Sequence, residues 1–443
     1  MSNLLILSLV ALLGLAAPAG PGTASPGNGP AAAWPRPARV ISRAIPVYEA
    51  PQGQSRAVEI LAAGSQLEVL EKAGPWYQVR LDDGRTGWVR ERAILLTGRD
   101  DSPSPLPGSS SALLPDPIPF PPGAKVAIYY VWDPTRSQVL SAALTPLRSY
   151  LVLVPWAFRL GGDGRLSLSL PAASLGGILR EVGEAGGDTW LLVHNFNGRT
   201  FDAAGIDRLL RSKAARARAV EQMRREAARW GVNGVHLDLE AVPPADRNRL
   251  TGFVAEVARA LHADGRLLTV ALPAKLRDES QSAWAGAYDY RDLGRIADAV
   301  TIMTYDEHYP GSAPGPVASL PWMEKVVAYA TERIPPRKIL LGIAGYGYEW
   351  SPDGKARTLA FPQVESLLRA GATGGWEEAQ KAPFLRYQHQ PSGSWRTVWY
   401  QDRRSTSFQL SLVGRYGLAG IAFWRLGMED PSVWQEVRLR HQP

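Results

Sequence analysis

The segment Gly234-Val-His-Leu-Asp-Leu-Glu240 constrains this chain more than any other. Apolar and polar residues alternate through it without a break. Val235, Leu237 and Leu239 take one face, and His236, Asp238 and Glu240 take the other, the period of two that an extended strand imposes. Burying that second face in an ordinary core would remove two carboxylates from water, which is costly unless the charges are paired or used. Such a strand therefore lies at an exposed sheet edge, or it ends at a site where acids do chemistry. In the second case the carboxylates at i and i+2 share one side and couple. Coupling raises the pKa of one of them, and a carboxyl protonated near neutral pH is suited to general acid catalysis.

The remainder of the chain favours the second case. From residue 124 onward, strand-like apolar runs alternate with helical segments, the mark of βα units and a parallel sheet. Eight such runs stand at 126–132, 150–156, 189–195, 234–240, 267–273, 299–305, 339–346 and 420–424. Eight strands within 124–443 predict an α/β fold, a (β/α)8 TIM barrel, whose strands present their C-terminal ends to the active site. A helical stretch is expected at 206–230, with its arginines on a solvated outer face. Residues 351–399 are too long for a loop. With Trp376, Phe384, Tyr387 and the aromatic run at 395–400, they predict a small α+β insertion between strands seven and eight that walls one side of a cleft.

Upstream, residues 40–97 read as short β-runs broken by turn residues, with a hairpin signal at Asp82-Asp83-Gly84. A small all-β barrel is expected there. The segment resembles a bacterial SH3-like domain through Val47-Tyr48, Gly64-Ser65, Trp76-Tyr-Gln-Val79 and Gly87-Trp-Val89, and the resemblance implies binding of cell-wall peptides or glycans. Residues 26–39 read as a flexible tether and 98–123 as a Pro/Ser-rich linker. Residues 1–25 read as an export signal, because an apolar run at 4–17 is followed by small residues and proline. That run is short for a membrane span, so no stable span is expected after cleavage. No Lys or Arg precedes it, which keeps an uncleaved anchor as the alternative. A secreted or wall-associated, monomeric protein is expected. The net charge of +7 favours an anionic partner, yet no basic run is dense enough to point to nucleic acid, and none is expected. There is no cysteine, so an exported form would be held by its core alone.

Acids and aromatics gather at the predicted C-terminal strand ends: Tyr129-Tyr-Val-Trp132, His194-Asn-Phe-Asn197, Asp238 and Glu240, Met303-Thr-Tyr-Asp306, Tyr346-Gly-Tyr-Glu-Trp350 and Phe423-Trp-Arg425. Six such clusters at one end of a barrel describe a cleft with aromatic walls, suited to sugar rings. Asn233-Gly-Val-His-Leu-Asp-Leu-Glu240 then resembles the Asp-x-x-Asp-x-Asp-x-Glu signature of glycoside hydrolase family 18. Met303-Thr-Tyr-Asp306 matches that family's strand-six motif, and Trp424 its strand-eight tryptophan. Pro273-Ala-Lys275, Tyr305-Asp-Glu-His-Tyr309, Gly315-Pro-Val317 and 341–348 are similar to the spore cortex-lytic branch of cell-wall N-acetylglucosaminidases. Two positions depart from the signature: Asn233 and His236 replace its first and second Asp. A histidine at 236 is expected to hydrogen-bond Asp238 and, if protonated, to favour its ionised form.

The resemblance implies a retaining, substrate-assisted mechanism. In it Glu240 is the general acid and base, Asp238 orients the substrate acetamide, and Tyr305 donates to the acetamide oxygen. Trp424, Asp306, Tyr129, His236 and Met303 are expected to bind substrate. No cofactor or metal is implied. The expected partner is peptidoglycan or a chitin-type N-acetylglucosamine glycan. A chitinase and a catalytically inactive glycan-binding barrel remain alternatives. So does a metal hydrolase using His236, Asp238 and either His194 or His308, although the sequence shows no convergent ligand set for it.

Overall fold

A computed structural model describes residues 35–40, 44–51, 55–62, 65–74, 76–81, 83–90, 93–96, 119–133 and 151–441. The expected export signal lies outside them, as do 26–34 of the tether and 98–118 of the linker. The chain divides into two compact units, with the smaller one on the N-terminal side.

The smaller unit is all β. Its strands are β1 Arg36–Val40, β2 Ala44–Tyr48, β3 Ala57–Ala62, β4 Gln66–Ala73, β5 Trp76–Arg80, β6 Thr86–Arg90 and β7 Ile94–Leu96. They form one sheet in the order β3-β2-β6-β5-β4-β1-β7, and its neighbouring strands are antiparallel. Alternation sets its inner face: Val47, Val69, Val79 and Val89 are fully buried in one cluster. At the β5–β6 turn, Leu81 N–H donates to the Arg85 carbonyl at 2.8 Å, and Gly84 takes φ +84°. The tether expectation is corrected at its C-terminal end. Residues 36–39 belong to β1, which pairs with both β4 and β7, and Ala38 is fully buried. A Pro- and Arg-rich composition is compatible with a short strand once two neighbours supply the ladder.

The larger unit is a closed barrel. Its parallel strands are β8 Lys125–Tyr130, β9 Leu151–Leu160, β11 Asp188–His194, β12 Gly234–Asp238, β13 Leu267–Pro273, β14 Ala299–Met303, β15 Ile339–Ala344 and β21 Gly420–Trp424. Each pairs with the next, and β21 pairs with β8 to close the ring. A short β10, Leu166–Leu168, runs antiparallel to β9. Described helices around the ring are α1 Ala172–Glu184, α2 Ala203–Arg211, α3 Lys213–Trp230, α4 Arg247–Ala263, α5 Tyr290–Ile296, α6 Leu320–Thr331, α8 Arg403–Tyr416 and α9 Val433–Arg440, with α7 Phe361–Arg369 in the insertion. Several strands end one or two residues before the apolar pattern does, because the functional side chains lie where the ladder gives way to loop.

Three expected boundaries shift. The stretch at 206–230 is two helices, since Ser212 leaves helical geometry and caps α3 through Ala215 N–H at 3.2 Å; Asp202 caps α2 through Gly205 N–H at 2.8 Å. Each such cap contributes about 1 kcal/mol. The linker ends before 123, because Phe120 is buried in the barrel core and its N–H donates to the Arg440 carbonyl. The insertion starts at Tyr346 rather than 351. Its strands are β16 Tyr346–Trp350, β17 Ala356–Ala360, β18 Thr373–Glu377, β19 Ala382–His389 and β20 Ser394–Trp399, in the order β17-β16-β20-β19-β18. Among the described residues, no helix is long and apolar enough to cross a membrane.

Candidate active site

Strand β12 divides its side chains as its alternation requires. Val235, Leu237 and Leu239 are buried in the outer core with residues of α2 to α4, while His236 and Asp238 point into the barrel. Glu240 lies two residues past the end of β12, and the chain turns at Ala241, where φ is +54°. A left-handed alanine costs about 1 kcal/mol or more and persists only where its neighbours fix it. They do so here. Asn195, just past β11, clamps the Glu240 backbone from both sides: its Nδ2 donates to the Glu240 carbonyl at 2.8 Å, and its Oδ1 accepts from the Glu240 N–H at 2.9 Å. The Tyr288 hydroxyl donates to the Leu239 carbonyl at 2.7 Å.

Tyr129, Asp238, Glu240, Met303, Tyr305, Asp306 and Trp424, seven of the eight residues expected from sequence, line one cleft of about 200 Å³. Phe201, Pro273, Ala274, Trp284, Tyr309, Trp322, Tyr346 and Tyr348 complete its wall. Trp424, whose peptide bond to Arg425 is cis, meets Tyr129 and Trp156 edge-on, each at 5.3 Å. Trp156 in turn stacks on His194 at 4.3 Å. Gly342 permits the approach of β15 to Tyr305, since a Cβ there would lie 2.4 Å from the Ile302 carbonyl oxygen and 3.0 Å from the Tyr305 ring. Asp306 also has a left-handed backbone, φ +62°, and it accepts hydrogen bonds from Tyr346 at 2.6 Å and Tyr348 at 2.7 Å.

His236 is the exception and corrects two expectations. It lies beneath the cleft and does not line it. It does not serve Asp238 either, because both ring nitrogens are engaged elsewhere. Nε2 shares a hydrogen bond with the Tyr129 hydroxyl at 2.9 Å, and Nδ1 shares one with Thr269 Oγ1 at 2.8 Å. Burial lowers its pKa to about 3, so the ring is neutral at any pH near 7. A positive charge beside Asp238 therefore does not arise from this residue.

Asp238 is buried, and among the described residues its Oδ1 has no hydrogen-bond partner. Burial pushes its carboxyl up to about 7. Glu240 is raised well above the usual carboxylate range, first by burial and then by the charges of Asp238 and Asp306. Burial also raises Asp306, against the opposing effect of its two tyrosine donors. Three carboxyls, one buried and two half-buried, thus meet in one cleft, and the raised pKa of Glu240 keeps at least one proton there at neutral pH. The arrangement can deliver a proton to an oxygen held between aromatic walls.

The histidines of the metal alternative are spent on other bonds. His194 joins Ser169 Oγ and the Phe196 N–H, and His308 joins the Ala313 carbonyl. Among the described residues, no three His, Asp or Glu side chains are grouped as a metal site. Lys275 of the Pro-Ala-Lys run turns away from the cleft to Asp278 and the Tyr288 carbonyl, whereas Pro273 and Ala274 line it. The sequence places Asn195 at the end of the third strand but carries no sign of its hold on Glu240. Trp284 and Trp322 had no sequence signal, since both lie outside the strand ends.

Comparison with known proteins agrees with this geometry. The family model for glycosyl hydrolases family 18 matches residues 192–429, and that for the bacterial SH3 domain matches 43–94. An uncharacterized glycosylase of Bacillus subtilis, YvbX, is 30% identical over 255 residues, covering 56% of this chain and 74% of that protein. The cortical fragment-lytic enzyme of Bacillus subtilis is 29% identical over 263 residues, covering 58% of this chain and 61% of that protein. The crystal structure of a chitinase from Chromobacterium violaceum superposes with a TM-score of 0.67 at 30% identity, over 72% of this chain and all of that one. The spore cortex-lytic enzyme SleL of Bacillus megaterium shares the fold, with a TM-score of 0.65 at 24% identity over 79% of this chain and 77% of that one. With its barrel, its paired strand-four acids and a family match across more than half its length, the chain belongs to glycosyl hydrolases family 18.

Proposed function

We propose that this protein hydrolyses the β-1,4 bond after N-acetylglucosamine in peptidoglycan, with retention of configuration and with the sugar's own acetamide as nucleophile. The observation that carries the reading is the pair Asp238 and Glu240, the first buried and the second half-buried in one aromatic cleft, with both carboxyls raised. Glu240 protonates the leaving oxygen as the acetamide oxygen attacks the anomeric carbon, and an oxazolinium ion forms. Asp238 orients the acetamide and stabilises the charge on its nitrogen. Tyr305 donates its hydroxyl to the acetamide oxygen. Glu240, now ionised, takes a proton from water, which opens the oxazolinium from the same face and restores the acid. Trp424 forms the floor under the reacting sugar, Tyr129 and Asp306 position it, and Met303 packs beside it. Neutral His236 acts by holding the Tyr129 hydroxyl.

Peptidoglycan is supported by the relative named a cortical fragment-lytic enzyme, by the SH3 domain and by the net positive charge. Action outside the cytoplasm at the wall, with the SH3 domain as the wall-binding module, is part of this proposal. Cleavage of chitin is the second reading, favoured by the chitinase matched over its whole length. Digestion of purified peptidoglycan and of chitin oligomers by wild type and Glu240→Gln, with reducing ends identified by mass spectrometry, tests both. Wall fragments ending in N-acetylglucosamine, at a rate about 10³-fold lower or less in the variant, are expected. Chitin products alone would shift the reading to chitinase, and wild-type-like turnover by Glu240→Gln would overturn the assignment of the acid.

A further inference from the structure

We infer that the open face of the insertion sheet extends the substrate site beyond the cleft, and that it receives a glycan strand bearing carboxylate groups. This rests on the glycosidase reading above. Tyr348 on β16 lines the cleft. It stands opposite Trp399 on β20, which stands opposite Phe384 on β19. Residues directly opposite across an antiparallel pair share a face, so one row of aromatic side chains leads out of the cleft over roughly 10 Å, two strand spacings. The Trp399 and Phe384 rings are 5.2 Å apart. The row continues onto β18 at Gly375, where a Cβ would lie 2.5 Å from the Phe384 ring, so the absence of a side chain leaves room for that ring.

Along the strands, the next position on this face pairs Arg386 with Thr397, and the one after pairs Gln388 with Trp395. Arg386 is exposed and its guanidinium lies 5.9 Å from the Phe384 ring centre. Trp395 is 60% exposed, roughly 13 Å along β20 from Trp399. Glu377, the acid on this face of β18, stands opposite Ala382, away from Arg386. The other face of the sheet is closed. Leu385 and Val398 pack there with Phe361, Val364 and Leu368 of α7. Stability accounts for that face and not for this one, because an exposed tryptophan adds no core. The half-buried Trp399 and Phe384 rings, 5.2 Å apart and continuous with a glycan cleft, suit the C–H faces of adjacent sugars, with the exposed Trp395 farther along. An exposed guanidinium between them suits carboxylates on their substituents.

The test compares wild type, Arg386→Glu and Trp395→Ala by KM and kcat. The substrates are an N-acetylglucosamine trimer, purified peptidoglycan, and the same peptidoglycan with its carboxylates amidated. Arg386→Glu should raise the KM for peptidoglycan relative to the trimer about tenfold, as loss of one charge-assisted contact predicts, and less than twofold on the amidated material. Trp395→Ala should raise the same ratio about fivefold on both peptidoglycan preparations. Unchanged ratios in both variants would overturn the inference while leaving the glycosidase reading intact. Self-association of wild type in sedimentation, lost in Trp395→Ala, would give the face to a second copy and overturn it too. An Arg386→Glu effect that survives amidation would refute the carboxylate. Failure of wild type to cleave either glycan would instead refute the glycosidase reading, and the inference with it.

Discussion

Replacing Asp238 by asparagine should stabilise the barrel increasingly as the pH rises. The carboxyl is buried, one of its oxygens has no partner among the described residues, and its pKa is pushed up from 3.8 to about 7. A carboxyl raised in the folded state holds its proton more tightly there than in the unfolded chain. Its contribution to stability is therefore fully present below pH 3.8 and is lost as the pH rises through 7. Between pH 5 and pH 8 the loss is roughly 2–3 kcal/mol, at about 1.4 kcal/mol per pH unit up to the folded pKa and little beyond it. Asparagine does not titrate, so the variant escapes this loss. Any steric or hydrogen-bonding cost of the amide is the same at both pH values and cancels in the comparison. For a unit of this size, with an unfolding entropy of ~2 cal/mol/K per residue, the variant's Tm advantage should be about 4 °C larger at pH 8 than at pH 5. Calorimetric melts of both proteins at the two pH values, at matched ionic strength, measure it. An equal Tm difference at both would refute the reasoning, because it would mean that the carboxyl ionises as easily in the fold as in water. The same variant should lose most of its turnover, so stability and activity are opposed at this residue.

Two further outcomes follow from the contacts. Wild type should lose stability as the pH falls from 6.5 towards 3, because His236 stays neutral when folded and takes up a proton when unfolded; the pH dependence should be shallower in His236→Asn, by on the order of 3–5 kcal/mol across that window. Acid unfolding followed by circular dichroism checks this, and identical slopes would show that the buried imidazole titrates freely. Asn195→Ala removes both bonds that fix the Glu240 backbone, so kcat should fall about 10- to 100-fold with a smaller change in KM. An unaltered kcat in a folded variant would mean that the turn at Ala241 holds itself.

Much of the fold was legible because strand alternation and helix caps are local. The eight barrel strands, the inner face of β12 and the small β unit follow from residues two to four positions apart. The acids of the site were legible for the same reason, since a strand that buries Val235, Leu237 and Leu239 must aim Asp238 and Glu240 the other way. Exact ends were less legible. Composition predicts a linker that runs to 123, yet Phe120 packs into the core, and 36–39 pair as a strand with residues about thirty and sixty positions away. Composition at those positions carries no trace of such distant partners.

By itself, then, the sequence determined the architecture, the face that bears the carboxyls and the aromatic character of the cleft. Each is written in a periodicity or in side-chain chemistry that does not depend on where other elements lie. Only the tertiary structure decided that His236 turns to Tyr129 and Thr269 rather than to Asp238, that Asn195 holds Glu240, and that Tyr346 and Tyr348 hold Asp306. Those partners come from other barrel strands, from the loop after β11 and from the insertion strand β16, 33 to 107 residues away. Their pairing is settled by barrel closure, which brings distant strand ends within hydrogen-bond reach and excludes the water that would otherwise satisfy them.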